Sequence, residues 1–283
     1  MRVHIVHRTT YDYHQPVALG PHRLLLRPRA QSQAQLLDFS LTVSPEANLF
    51  WEADANGNAL ALATFREETD RLVVESRAEL ELPGIPGPAP LLAPEAATYP
   101  FLYSEADWSH IAPLAAPACP DAEGRLTAWA RGLVAGQPTP SLALLQDLNA
   151  AVRDAARYEE RIEPGVQPPL ETLQRGIASC RDFALLFAEG ARALGLAARL
   201  VSGYLANPGG SAPGTATTHA WAEVFLPGAG FVPFDSTHAT MGGHNLVPVA
   251  VGRTLEETTP VSGSFLGRPD ALRQMIVDVE ITA

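Results

Sequence analysis

The chain has no lysine. All 20 of its basic residues are arginine, set against 31 Asp and Glu, and the formal net charge is −11. A general nucleic-acid binder needs a basic stripe to neutralise phosphates, so this balance argues against that class. The missing lysine itself fits a GC-rich genome, which the many Ala, Gly and Pro residues also suggest. Cysteine is scarce too. The two present, Cys119 and Cys180, cannot build a disulfide framework, and an intracellular pair is expected to stay reduced. No apolar run approaches the roughly 20 residues that span a bilayer. The start, MRVHIVHRTTYDYH, carries His, Arg and Asp where an export signal needs an unbroken apolar core. The expectation is a cytoplasmic protein with no nucleic-acid or membrane partner.

What is present describes a globular α+β chain. Hydrophobic residues make up 46% and charged residues 18% of 283, outside the disordered and fibrous ranges. The first eighty residues read as β structure. Leu37 to Ser44 alternates apolar and polar without a break, as a half-buried strand does. Val3 with Ile5, Arg23 to Leu26, and Arg71 to Leu82 suggest further strands, and Asn56-Gly57 is a tight-turn signal. From Pro83 to Pro100 six prolines forbid a regular helix or central strand. The expected division is a β-rich module over 1–100 with its connector at 83–100, a core over 101–260, and a tail over 261–283 that forms a strand. There are no internal repeats.

Helical periodicity begins after the connector. Asp121 is a candidate N-cap for a helix through about Leu133. Pro140-Ser141 opens another that continues to Glu160, with Leu142, Leu145, Leu148, Val152 and Ala155 on one stripe. A third begins at Ser179 or Cys180, carries Phe183, Leu186, Phe187, Gly190 and Leu194 on one face, and stops at Gly195 as a glycine just past a helix end would stop it. Strands come next, over Ala198 to Tyr204, His219 to Phe225 and Phe231 to Asp235. Helices first and an antiparallel sheet after make the second half α+β.

Chemistry concentrates in three places. Cys180 sits in the first turn of its helix, where backbone N–H groups lack partners and the dipole stabilises a thiolate. Taken alone it reads more readily as a small buried hydrophobe. His219 begins the alternating run HAWAEVFL after the loop NPGGSAPGTATT, and strand ends beside loops are favoured places for chemistry. Asp235 lies in FVPFDSTH. The run Pro227-Gly228-Ala229-Gly230 turns one strand back on the other, so parity decides who meets whom. If Phe225 faces Phe231 across five residues, Trp221 lies opposite Asp235, and His219 and Asp235 are diagonal neighbours on one face. The five-residue loop is the expectation; a four-residue loop would put them on opposite faces. A thiol activated by an imidazole that a carboxylate orients is the logic of nucleophilic acyl transfer. The N–H of Cys180 would form half of an oxyanion hole.

Cys180 in SCRDFA, His219 in HAWAEV and Asp235 in FVPFDST together resemble the three motifs of the transglutaminase-like superfamily. Arg8 to Arg29 resembles the β-rich N-terminal region attached to its bacterial members, and Val249 to Phe265 resembles the segment after their core. The resemblance implies a papain-like fold with a Cys-His-Asp triad: Cys180 as nucleophile, His219 as general base and acid, Asp235 as its orienter. It implies action on the amide bonds of a peptide or protein substrate through a thioester. Hydrolysis, as protease or deamidase, is the first expectation, amine-dependent transglutamination the second, and a non-catalytic peptide-binding or scaffold protein the alternative of another class. A chain without lysine cannot cross-link itself through lysine. The run Asp235-Ser236-Thr237-His238 departs from the family's usual Pro and Thr-Asn after this aspartate, and no motif supplies a second oxyanion donor.

Four neighbours are weighed as supporting residues. Asp182 is a capping carboxylate or a support for the site, paired with Arg181. Trp221 walls the acyl site or is simply core. Glu223 shares the histidine's face. Tyr158, ending the second helix, would line the pocket. His238 and His244 add imidazoles near His219 and Asp235, but compact zinc spacing such as H-x-x-x-H or C-x-x-C is missing, so no metal and no cofactor is expected. Cys119, in APACP, reads as structural.

Overall fold

The structure, a computed structural model, describes residues 1–30, 34–83, 85–136, 138–161, 165–206 and 218–282. The chain is α+β. It opens with strands β1 (Arg2–Leu19), β2 (His22–Leu24), β3 (Gln35–Ser44), β4 (Asn48–Ala53), β5 (Ala59–Thr64) and β6 (Glu68–Glu81). One sheet orders them β1-β6-β3, the other β2-β5-β4. Their inner faces meet on Tyr13, Val17, Leu24, Ala61 and Leu72, which makes a sandwich. The Asn56-Gly57 turn joins β4 to β5, with Gly57 at φ +71°, a conformation glycine adopts without a Cβ clash.

Among the described residues five α-helices come next: α1 (Glu105–Ala115), α2 (Arg125–Arg131), α3 (Ser141–Ala155), α4 (Pro169–Arg175) and α5 (Cys180–Ala193). Two of them correct the sequence reading. The periodicity did not reveal α1, which holds Pro113 and buries only Ile111 and Ala115. Nor did it reveal α4, seven residues opening on a proline and too short to show a period. Two others shift. Helix α2 starts at Arg125 behind Gly124, while Asp121 reaches forward to accept from the N–H groups of Leu126 (3.1 Å) and Thr127 (2.9 Å). Helix α3 ends at Ala155 because Ala156 is extended, with φ −149° and ψ 151°. It buries Leu144 rather than Leu142, and Asn149 with it.

Strands β7 (Ala198–Leu205), β8 (Thr218–Leu226), β9 (Gly230–Asp235) and β10 (Leu246–Gly252) form an antiparallel sheet in the order β9-β8-β7-β10, with Thr240–Met241 added outside β9. The expected face of α5 packs here: Phe183, Leu186 and Phe187 join Ala220, Ala222, Val224 and Phe234 in one core. The helix is buried all round, from Asp182 to Arg192. It stops at Leu194, and Gly195 comes next at φ +81°.

The tail is a strand, β11 (Leu272–Thr282), and it returns to the beginning of the chain. It pairs antiparallel with β1, from His4 opposite Thr282 to Tyr13 opposite Leu272. Val261–Ser262 likewise pairs with β2. Sandwich and core meet where Val3, Ile5, Leu80 and Val279 pack on Tyr204, Val247 and Val249.

Candidate active site

Cys180 is the first residue of α5 and is half-buried. Asp182 fixes where that helix starts. The N–H and O–H of Ser179 both donate to its Oδ2, at 2.9 and 2.8 Å. It also accepts from the Gln167 N–H at 2.7 Å, Gln167 Nε2 at 3.1 Å and Arg161 Nη2 at 3.1 Å. Burial pushes the carboxyl up, yet these bonds outweigh it and hold Asp182 below the usual carboxylate range. Asp182 is therefore a capping carboxylate that pins the preceding segment. Its cation is Arg161, not Arg181, which instead donates to the Arg161 carbonyl at 2.9 Å.

Tyr158 does not end a helix. It lies in a short strand, Arg157–Tyr158, parallel to Ile177–Ala178 just before Cys180. Burial, and then the neighbouring Cys180, push its phenol up. It is still 40% exposed, so it is open to a ligand beside the thiol.

The hairpin has the odd register. Phe225 faces Phe231 and Ala222 faces Phe234, so the next pair inward is Trp221 and Asp235. His219 then lies diagonal to Asp235, and its Nε2 is 2.8 Å from Asp235 Oδ2. Cys180 acts on the same ring, adding to Asp235 in raising its proton affinity. Opposite His219 on β7 stands Gly203. A Cβ there would lie 2.1 Å from the Val247 carbonyl and 2.9 Å from the Trp221 ring, so only glycine lets β10 and the indole close beneath the histidine. Trp221 is core, fully buried among Val201, Leu246 and Val251, and its ring stacks 6.1 Å from that of His219. Glu223 is buried and accepts from Arg199 Nε at 2.8 Å rather than from Cys180, His219 or Asp235. The loop ahead of β8, residues 207–217, lies outside the described residues.

The turn after Asp235 holds His238, which the sequence reading weighs as a zinc ligand and sets aside on spacing, together with contacts it does not foresee. Asp235 Oδ1 accepts the Thr237 N–H at 3.0 Å, and Oδ2 accepts from His238 Nδ1 at 2.8 Å as well as from His219. Ser236 donates to Asn149 Oδ1 at 2.6 Å, and Asn149 Nδ2 donates to the Thr240 carbonyl at 3.1 Å, which ties the turn to α3. The only sequence signal was the i, i+3 spacing of Asp235 and His238, which a turn brings together. The ligand atoms of His219, Asp235 and His238 lie within 4.8 Å of one another. Sequence spacing hid this because two of the three come from one turn and the third from a neighbouring strand. His244 does not join them.

Burial alone would push His219 down. Its bonds to Asp235 and Cys180 outweigh burial and raise it to about 9. Burial likewise pushes Asp235 up, but the two imidazoles outweigh that and hold it well below the carboxylate range. The raised value favours the imidazolium form of His219 at neutral pH, held against the Asp235 carboxylate. Such a site can offer a nucleophilic thiolate and a proton for a leaving group. Cys119 has the opposite surroundings. Burial, then Glu189, push its thiol up to about 11.

Comparison with known proteins agrees with this arrangement. Residues 3–81 match the "Bacterial transglutaminase-like N-terminal region" and residues 127–236 the "Transglutaminase-like superfamily". An uncharacterised Mycobacterium tuberculosis protein, Rv2569c, is 28% identical over 99% of this chain and 91% of its own length. An uncharacterised Mycobacterium leprae protein, ML0607, is 23% identical over 98% of each. The solved structure of "a Putative Cysteine Protease from Cytophaga hutchinsonii" superposes with a TM-score of 0.74 at 20% identity, over all of this chain and 91% of that one, and so shares the fold.

Proposed function

The chain belongs to the transglutaminase-like superfamily, and on that premise we propose that it is a cysteine-nucleophile acyl-transfer enzyme that hydrolyses amide bonds in a peptide or protein. One observation carries this reading: His219 Nε2 lies 2.8 Å from Asp235 Oδ2 while Cys180, at the start of α5, raises the proton affinity of the same ring. The Cys180 thiolate attacks the amide carbonyl carbon. The oxyanion forms at the α5 N-terminus, where the Cys180 N–H has no intrahelical acceptor. As the C–N bond breaks, His219 gives its proton to the departing nitrogen and a thioester remains. Neutral His219 then takes a proton from water, the hydroxide attacks the thioester, and the thiolate returns. Asp235 keeps the imidazole oriented and stabilises its charge throughout. Water is the default acceptor unless a site excludes it, which favours hydrolysis over transfer to an amine.

The test is an acyl-enzyme trap. The protein is incubated with glutaminyl and unmodified peptides, with and without a primary amine, and monitored by mass spectrometry. Peptide cleavage or ammonia loss without added amine is expected. Incorporation of the amine alone would make it a transglutaminase. No adduct and no product from any substrate would contradict the enzymatic reading and leave a peptide-binding scaffold.

A further inference from the structure

The second histidine on Asp235 gives the site a donor set that acyl transfer does not need. Two imidazoles and one buried carboxylate converge, and Asp235 Oδ2 is 2.8 Å from both His219 Nε2 and His238 Nδ1. We propose that this cluster is a metal site, in which a zinc-type divalent cation bound by His219 Nε2, Asp235 Oδ2 and His238 Nδ1 switches the nucleophile off.

Zinc takes nitrogen and carboxylate ligands at about 2.0–2.2 Å in tetrahedral sites, so its ligand atoms stand about 3.3 Å apart. The two nitrogen–oxygen pairs, at 2.8 Å, need to open slightly, and the two ring nitrogens, which lie within 4.8 Å of each other, need to draw together to admit it. Magnesium and calcium prefer all-oxygen sets and fit poorly. Asp235 is buried and supplies the charge, whereas the His238 side chain is 48% exposed and gives the ion a way in. Three protein ligands leave a fourth position for water.

Binding and chemistry exclude each other. A metal needs a lone pair on each of the two nitrogens that now donate an N–H to Asp235, so each imidazole must move that proton to its other ring nitrogen or lose it. On His219 the other nitrogen is the one that remains for Cys180. A proton held there leaves the imidazole unable to accept one from the thiol, and Asp235 no longer stabilises an imidazolium. The binding part stands on geometry alone. The switching part rests on the function proposed above.

The experiment uses the full chain and its Cys180→Ser variant, which removes the sulfur as an alternative ligand. Zinc is titrated in competition with a chromogenic chelator, with magnesium as the control. One zinc per chain is expected in both proteins and no magnesium. His238→Ala should weaken zinc at least about ten-fold. His238→Asn, whose amide can still bond Asp235, should weaken it as much. Zinc that binds His238→Asn as well as the wild type, or that fails to bind either protein at micromolar concentration, overturns the site. For the switch, zinc should slow capture of Cys180 by iodoacetamide in the wild type, reversibly with EDTA, and not in His238→Asn. Bound zinc that leaves capture unchanged overturns the switch. Neither readout uses amide turnover, so failure of the proposed function shows separately.

Discussion

The two cysteines lie against opposite ends of one helix. At the N-terminus of α5, Cys180 meets the positive end of the helix dipole and His219. Toward the C-terminus, the N–H groups of Ala118 and Cys119 donate to Glu189 at 3.0 and 2.9 Å, and Glu189 is itself paired with Arg192 in a fully buried ion pair. One thiol has a cationic partner. The other has a carboxylate and a burial penalty. The same residue type meets opposite charges, Cys180 at the start of α5 and Cys119 packed against its far end, and on the function proposed above only Cys180 is the nucleophile. The C-terminal cluster is also an anchor: Arg192 Nη2 donates to the carbonyls of Ala198 and Arg253, at 2.8 and 2.9 Å.

The contrast can be broken at either end. The largest effect is expected at the N-terminus. Cys180→Ala should lower amide turnover by about 10⁴-fold or more, whereas Cys119→Ser should leave it unchanged, as a peptide-cleavage assay would show. At the other end, Arg192→Ala strands Glu189 without its cation in the core. Urea denaturation should show a loss of about 3–5 kcal/mol, and the His219 titration should stay where it is. A smaller change isolates Asp235. Asp235→Asn removes the charge that opposes burial, so His219, now at about 9, should titrate about 1–3 units lower by NMR. The smallest effect is a slope. A raised folded-state value means that His219 contributes stability in full below its ordinary value near 6.5, lost as pH rises through about 9. The urea midpoint should fall across that window in the wild type and flatten in His219→Gln.

Much of the site's geometry was legible, and strand parity is the reason. Alternation in HAWAEVFL and a five-residue return fixed the Phe225–Phe231 register, and that register alone puts His219 diagonal to Asp235. Helix α5 was legible because its apolar period and Gly195 agree. Other features had no local signal. A seven-residue helix such as α4 shows no period. The partner of β11 lies some 270 residues away, and nothing near Leu272 points to β1. Asp182 and Arg161 are 21 residues apart, so the adjacent Arg181 looked like the partner. His238 needed the turn itself to bring its ring back to Asp235.

The most direct test of the central claim, that His219 activates Cys180, is thiol labelling at neutral pH. Iodoacetamide is added to the folded protein and each cysteine is tracked by peptide mass spectrometry. Cys180 should be labelled first and Cys119 at least about ten-fold more slowly, and His219→Ala should remove most of the Cys180 advantage. Equal slow labelling of both cysteines, or a Cys180 rate that His219→Ala leaves unchanged, would contradict it.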